Sequence, residues 1–204
     1  MRLSGGKGED IDVGGRLNSE GDLKFNKIDV GGRVKIDGNA QGKEIKVGGK
    51  LKVSGKLKIE GDIRVGGKVE VDENLNVDLI KVGGKIFAKR IEGKREIETT
   101  VLETLDGAKA PRIVINRGGK VRGPLMGEEI ILKDKVKAED IYADTVFLRK
   151  GCNVGKIFAR EVSIESKTRV QRVYYTQSLL TDKLVKYAYP PEKVKEVPQS
   201  PIGG

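Results

Sequence analysis

The sequence predicts an all-β protein: a right-handed parallel β-helix, that is a triangular β-solenoid, of about ten coils with a ~17-residue period, ending in a C-terminal capping segment and a disordered tail. Three observations lead there. An Ile-x-Val-Gly-Gly-(Lys/Arg) unit recurs at 11–16, 28–33, 45–50, 63–68 and 80–85, at spacings of 17, 17, 18 and 17 residues, and self-similarity at a fixed period marks a repeat architecture. Inside each unit apolar and polar residues alternate with period two, the pattern of a strand with one buried face. Aromatic residues make up 4% of the chain and Trp is absent, whereas Gly reaches 28 residues. A filling of small and β-branched side chains suits short strands and tight corners better than one compact core.

The elements follow in order along the chain. Residues 1–10, MRLSGGKGED, are polar and glycine-rich and are expected to form a flexible N-terminal segment with no apolar stretch behind it. The solenoid is expected over 11–172. Alternating triplets such as Val34-Lys35-Ile36, Leu51-Lys52-Val53, Leu57-Lys58-Ile59, Val69-Glu70-Val71 and Leu75-Asn76-Val77 give about three short strands per coil. Stacked coils would pair each strand in parallel with its copies above and below, leaving aliphatic ladders inside. The corners are assigned to the glycine pairs Gly14-Gly15, Gly31-Gly32, Gly48-Gly49, Gly66-Gly67 and Gly83-Gly84, on the expectation that they adopt positive φ.

The coil at 97–112 lacks the Gly-Gly corner and contains Ala110-Pro111, so a bulge or bend is expected there. The alternation sharpens again in Ile141-Tyr142-Ala143, Val146-Phe147-Leu148, Ile157-Phe158-Ala159 and Val162-Ser163-Ile164. Coil starts near 11, 28, 45, 63, 80, 97, 113, 130, 146 and 162 imply a stack about 48 Å long. Over 173–188 the apolar residues Val173, Tyr174, Tyr175, Leu179, Leu180, Leu184, Val185 and Tyr187 suggest a short helix capping the last coil. Pro190-Pro191 and Pro198 to Gly204 then mark 189–204 as a disordered tail.

Enzyme chemistry finds little footing. Histidine is absent, which removes the commonest general base and zinc ligand. Residues 38–44, GNAQGKE, place three residues between their glycines and end in Glu, so they are not a phosphate-binding Walker loop. The 17-residue period is no multiple of the hexapeptide repeat of solenoid acyltransferases, and no Gly-Gly-x-Gly-x-Asp calcium repeat occurs. The one cysteine, Cys152, falls at an apolar phase and reads as core filling. The acidic pairs Glu128-Glu129 and Glu139-Asp140 read as solvated corners. No catalytic, cofactor-binding or metal-binding residue is therefore assigned, and no small-molecule substrate is expected.

The chain carries 40 Lys and Arg against 30 Asp and Glu, a formal charge of +10. Such an excess attracts nucleic acid or an anionic membrane surface, but the basic residues are spread evenly along the chain rather than gathered in one arm. No run of 18 apolar residues occurs. A cytoplasmic protein is expected, with membrane association as a further option.

The Ile-x-Val-Gly-Gly-(Lys/Arg)-(Leu/Val) units of the first half, and Gly155-Lys156-Ile157-Phe158-Ala159-Arg160-Glu161-Val162-Ser163-Ile164 in the second, resemble the bactofilin family of polymer-forming cytoskeletal proteins. The resemblance spans roughly residues 10–172. It implies a right-handed triangular β-helix that forms filaments without nucleotide, often at a membrane or as a scaffold for partners. This chain has more coils than that family leads one to expect, and no evident membrane-targeting segment.

Solenoid physics points the same way. Internal coils satisfy their backbone through their neighbours, while terminal coils expose strand edges that must be paired or covered. The expected assembly residues are Ile11, Val13, Leu17, Leu23 and Phe25 at one end, and Val162, Ile164, Val170, Val173, Tyr174 and Tyr175 at the other. The expected partner is a second copy of the chain, stacked end to end, with further protein partners recruited through the tail. The alternative is a non-polymerising solenoid whose basic face binds nucleic acid, an anionic membrane or a protein.

Overall fold

A computed structural model describes residues 1–197. The chain winds as a right-handed parallel β-solenoid in which 23 strands pair, all in parallel, and no helix occurs among the described residues. Each coil contributes one strand to each of three sheets. The first sheet stacks the Ile-x-Val strands, so that Ile11, Ile28, Ile45, Ile63, Ile80, Ile97, Ile113, Ile130, Val146, Val162 and Leu179 form one continuous inner ladder. The second sheet follows the Gly-Gly corner, and the third leads back to the first. All but the last member of the Ile ladder are buried. Each such side chain contributes about 1.5–3 kcal/mol on leaving water.

Both termini extend the solenoid beyond its expected limits. Arg2–Leu3 and Gly6–Lys7 are strands pairing with Arg16–Glu20 and Leu23–Lys24, so residues 1–10 belong to the stack. The helix expected over 173–188 is instead strand Arg169–Thr181, followed by Lys186–Tyr187. The spacing of Leu180 and Leu184 imitates a helical stripe. Tertiary pairing decides otherwise: Val173 stacks on Ile157 and Tyr174 on Phe158, and a helix there would leave the upper edge of Asn153–Ile164 without partners. The tail expectation fails in its first part, since Glu192–Lys193 pairs with Tyr174 and Tyr175; residues 198–204 lie outside the described residues.

The glycine corners need a different explanation from the one expected. None of the ten paired glycines has positive φ. A Cβ at Gly31 would lie 2.8 Å from the Gly14 carbonyl oxygen, one at Gly49 2.6 Å from that of Gly32, and one at Gly83 2.5 Å from that of Gly66. Glycine is required because successive corners stack backbone on backbone.

The column ends where Thr99 and Thr100 occupy the corner, their hydroxyls donating to the carbonyls of Gly84 (3.1 Å) and Gly83 (2.9 Å). In the next coil the register jumps from Thr99↔Ile115 to Val101↔Lys120. The irregularity anticipated at 97–112 is thus an insertion at 116–119, where Gly118 has φ 70°. Later corners keep this wider turn, with Lys135 (φ 59°), Gly151 (φ 75°) and Lys167 (φ 62°) in the left-handed region. Ala110-Pro111 forms an ordinary corner, the Pro111 carbonyl accepting from Glu128 N (2.9 Å) and Glu129 N (2.8 Å).

Candidate functional site: the solenoid ends and outer faces

The residues expected at the assembly ends are mostly interior. Ile11, Leu17, Leu23 and Phe25 are buried; the strands holding Leu17 and Leu23 stand on those at 2–3 and 6–7, whereas Ile11 lies in the lowest strand of the first sheet, Asp10–Val13. Val162, Ile164, Val170 and Val173 are likewise buried beneath the eleventh coil. Tyr174 and Tyr175 are half-buried, and Tyr174 closes an aromatic stack on the outer face of the third sheet. Its ring lies 5.0 Å from Phe158, which lies 4.8 Å from Tyr142, with near-parallel planes. Only Val13 of the N-terminal set keeps partial exposure.

Apart from Ile11 and Val13, the terminal layers are formed by other residues. The lower edge consists of Arg2–Leu3, Gly6–Lys7 and Asp10–Val13, each paired on one side alone among the described residues. The upper edge consists of 178–181, Lys186–Tyr187 and Glu192–Lys193. Leu3 and Val13 below, and Leu179, Val185 and Tyr187 above, pack against the core yet remain half-exposed. Leu184 beside the upper layer is 60% exposed. Both layers therefore combine open backbone edges with unfinished apolar ladders. The end residues at 1–8 were missed because glycine and charge concealed a strand phase that only coil-to-coil pairing makes visible.

The outer faces carry charge in patterned form. In the second sheet one outward position per coil holds Arg16, Arg33, Lys50, Lys68, Lys85, Val101, Lys120, Lys137, Asn153, Arg169 and Lys186, in unbroken register. Nine of these eleven are cationic. Residues distributed evenly along the sequence become a single row because their spacing equals the coil period.

Ion pairs neutralise the middle of the row. Glu70 lies 2.8 Å from Lys50, 2.9 Å from Lys68 and 3.4 Å from Lys52, and the ammonium groups of Lys50 and Lys68 hold its carboxyl down at about 2. Lys85 pairs with Glu103 at 2.5 Å. Arg16, Arg33, Lys120, Lys137, Arg169 and Lys186 are exposed and have no acidic partner within 4 Å among the described residues.

The first sheet is different in kind. Its outer side interleaves opposite charges, with Arg112 between Glu96 (3.1 Å) and Glu129 (2.7 Å), and Lys81 between Glu96 (3.1 Å) and Glu98 (3.2 Å). A shallow depression of about 660 Å³ lies there, floored by Val114 and Ile131. Its charges largely satisfy one another.

The remaining chemistry-bearing groups are structural. Cys152 is buried, its thiol donating to the Lys133 carbonyl at 3.2 Å, and burial pushes it up to about 11. Glu139 accepts from Gly123 N at 2.9 Å and Asp140 from Lys156 N at 3.0 Å, so both acids tie adjacent corners together. Among the described residues no three His, Cys, Asp or Glu side chains converge as a metal site. No helix of the described residues is long and apolar enough to cross a membrane. No family model matches the chain, and neither a curated protein nor a solved structure matches it.

Proposed function

We propose that the protein is a non-enzymatic scaffold that self-assembles end to end into filaments without nucleotide, as its bactofilin-like repeats suggest. The observation that carries this reading is the state of the two ends. Among the described residues each finishes in parallel strands paired on one side alone, and each leaves inner apolar side chains half-exposed, Leu3 and Val13 at one end and Leu179, Val185 and Tyr187 at the other. Natural solenoids cover such edges or use them. Here the strands of the upper edge run in the same direction as those of the lower edge. A second copy stacked head to tail would continue all three sheets and bury both apolar layers.

The test is negative-stain electron microscopy and sedimentation of the chain without nucleotide, beside the end variants Leu3→Asp and Leu179→Asp. Filaments with an axial repeat of about 55 Å are expected for the wild type. The variants should remain short rods with unchanged far-ultraviolet circular dichroism. Monodisperse wild-type rods at every salt and protein concentration would remove the scaffold reading.

A further inference from the structure

The geometry points to a second activity: the cationic row of the second sheet binds the sugar-phosphate backbone of single-stranded nucleic acid, laid parallel to the solenoid axis. The row runs from Arg16 to Lys186 over eleven coils, about 48 Å at one parallel-strand step per coil. Its six cations without an acidic partner among the described residues, Arg16 and Arg33 near one end and Lys120, Lys137, Arg169 and Lys186 toward the other, are all exposed. A linear polyanion along this line would meet one of these free cations at six of the eleven rungs and release condensed counterions as it did so.

The shape of the charge selects among polyanions. The row is one side chain wide, and its own sheet carries Glu20, Asp37, Glu70 and Glu103 beside it. A planar anionic membrane would press those carboxylates against its own charge, whereas a single strand passes alongside them. The phosphates of a duplex wind around a rod and leave a straight row after a few contacts. The outer side of this sheet is built of strands alone, with a shallow hollow beside Lys120, Lys137 and Asn153, and among the described residues Phe87 is an aromatic that stands on it. Base stacking therefore contributes little, and recognition rests on phosphates, without sequence preference. This inference does not depend on filament formation, since the row lies along the flank of one molecule.

The test is fluorescence anisotropy of a labelled, mixed-sequence single-stranded DNA longer than the row, titrated with the supernatant fraction that sedimentation shows to be monomeric. Six phosphate contacts predict that log K falls with log salt at a slope of about −4. The triple variant Lys120→Glu, Lys137→Glu, Arg169→Glu should bind at least about tenfold more weakly, with a slope nearer −2. The triple variant Lys24→Glu, Lys58→Glu, Lys109→Glu makes the same change in net charge on the third sheet, at exposed positions, and should bind within about twofold of wild type. Single exchanges Lys137→Glu and Arg169→Glu, each lowering the slope by about one, serve if a triple variant misfolds.

Equal loss in both triple variants would overturn the proposal, leaving only diffuse charge attraction. So would tighter binding to a duplex of the same sequence or to phosphatidylserine vesicles, or no binding to the single strand at low salt.

Discussion

The ring of Phe25 fills the space directly beneath Gly42: a Cβ at residue 42 would lie 2.6 Å from Phe25 Cζ. The pair occupies adjacent coils at one inner position of the third sheet, a large residue under an absent one. Close-packed interiors punish change in either member. Gly42→Ala is expected to destabilise the protein by about 1–3 kcal/mol through overpacking. Phe25→Leu placed in the Gly42→Ala background should recover part of that loss. Urea unfolding of the two variants and their combination measures the coupling; additive effects would mean the ring moves aside.

The glycine column makes a position-dependent prediction. Gly49→Ala drives a Cβ against the Gly32 carbonyl, whereas a Cβ at Gly15 meets nothing within 4 Å. Gly49→Ala should cost about 1–3 kcal/mol, and Gly15→Ala should be neutral or slightly stabilising, because alanine restricts the unfolded chain. Thermal melts of the two proteins, kept monomeric, test this directly.

Glu70 sets a pH dependence. Hydrogen bonds from Lys50 and Lys68 lower its pKa from 4.5 to about 2 in the folded protein. A depressed carboxyl pKa stabilises the fold above the unfolded value, and that contribution fades as pH falls through the folded value. Glu70→Gln should therefore melt below wild type at neutral pH, by about 1 kcal/mol after allowing for solvent around the lysines. The gap should narrow between pH 4.5 and about 2. A gap constant across that range would show that the ion pairs contribute nothing.

Cys152 should be inert. With 1% of its surface exposed and its thiol pushed up to about 11, it should resist an aromatic disulfide reagent in the native state. It should react fully in denaturant, since the thiolate is the reactive form. Rapid native labelling at neutral pH would contradict the buried placement.

The period, the three-sided coil and the inner ladders were legible because each Ile-x-Val-Gly-Gly unit repeats the same local choice. Three features were not. The glycines suggested positive φ, but their reason is an inter-coil distance, which no single coil contains. Leu180 and Leu184 suggested a helix, because the Phe158 and Ile157 surfaces that recruit Tyr174 and Val173 to a strand become neighbours only after folding. The basic residues looked evenly spread, since a one-dimensional reading does not align Lys120 with Lys137 or Arg169 with Lys186.

The register itself has a dynamic consequence. Every ladder joins a residue to its counterpart about 17 positions away, so a coil is supported only by the coils directly above and below it. Stability then propagates like a row of coupled switches, and opening begins where a coil has one neighbour instead of two. Amide protons at Leu51, Ile80 and Leu102 should exchange last and those at Leu3 and Tyr187 first. The molecule would then fray inward from its tips, keeping its middle folded while either end is free to let go and rejoin.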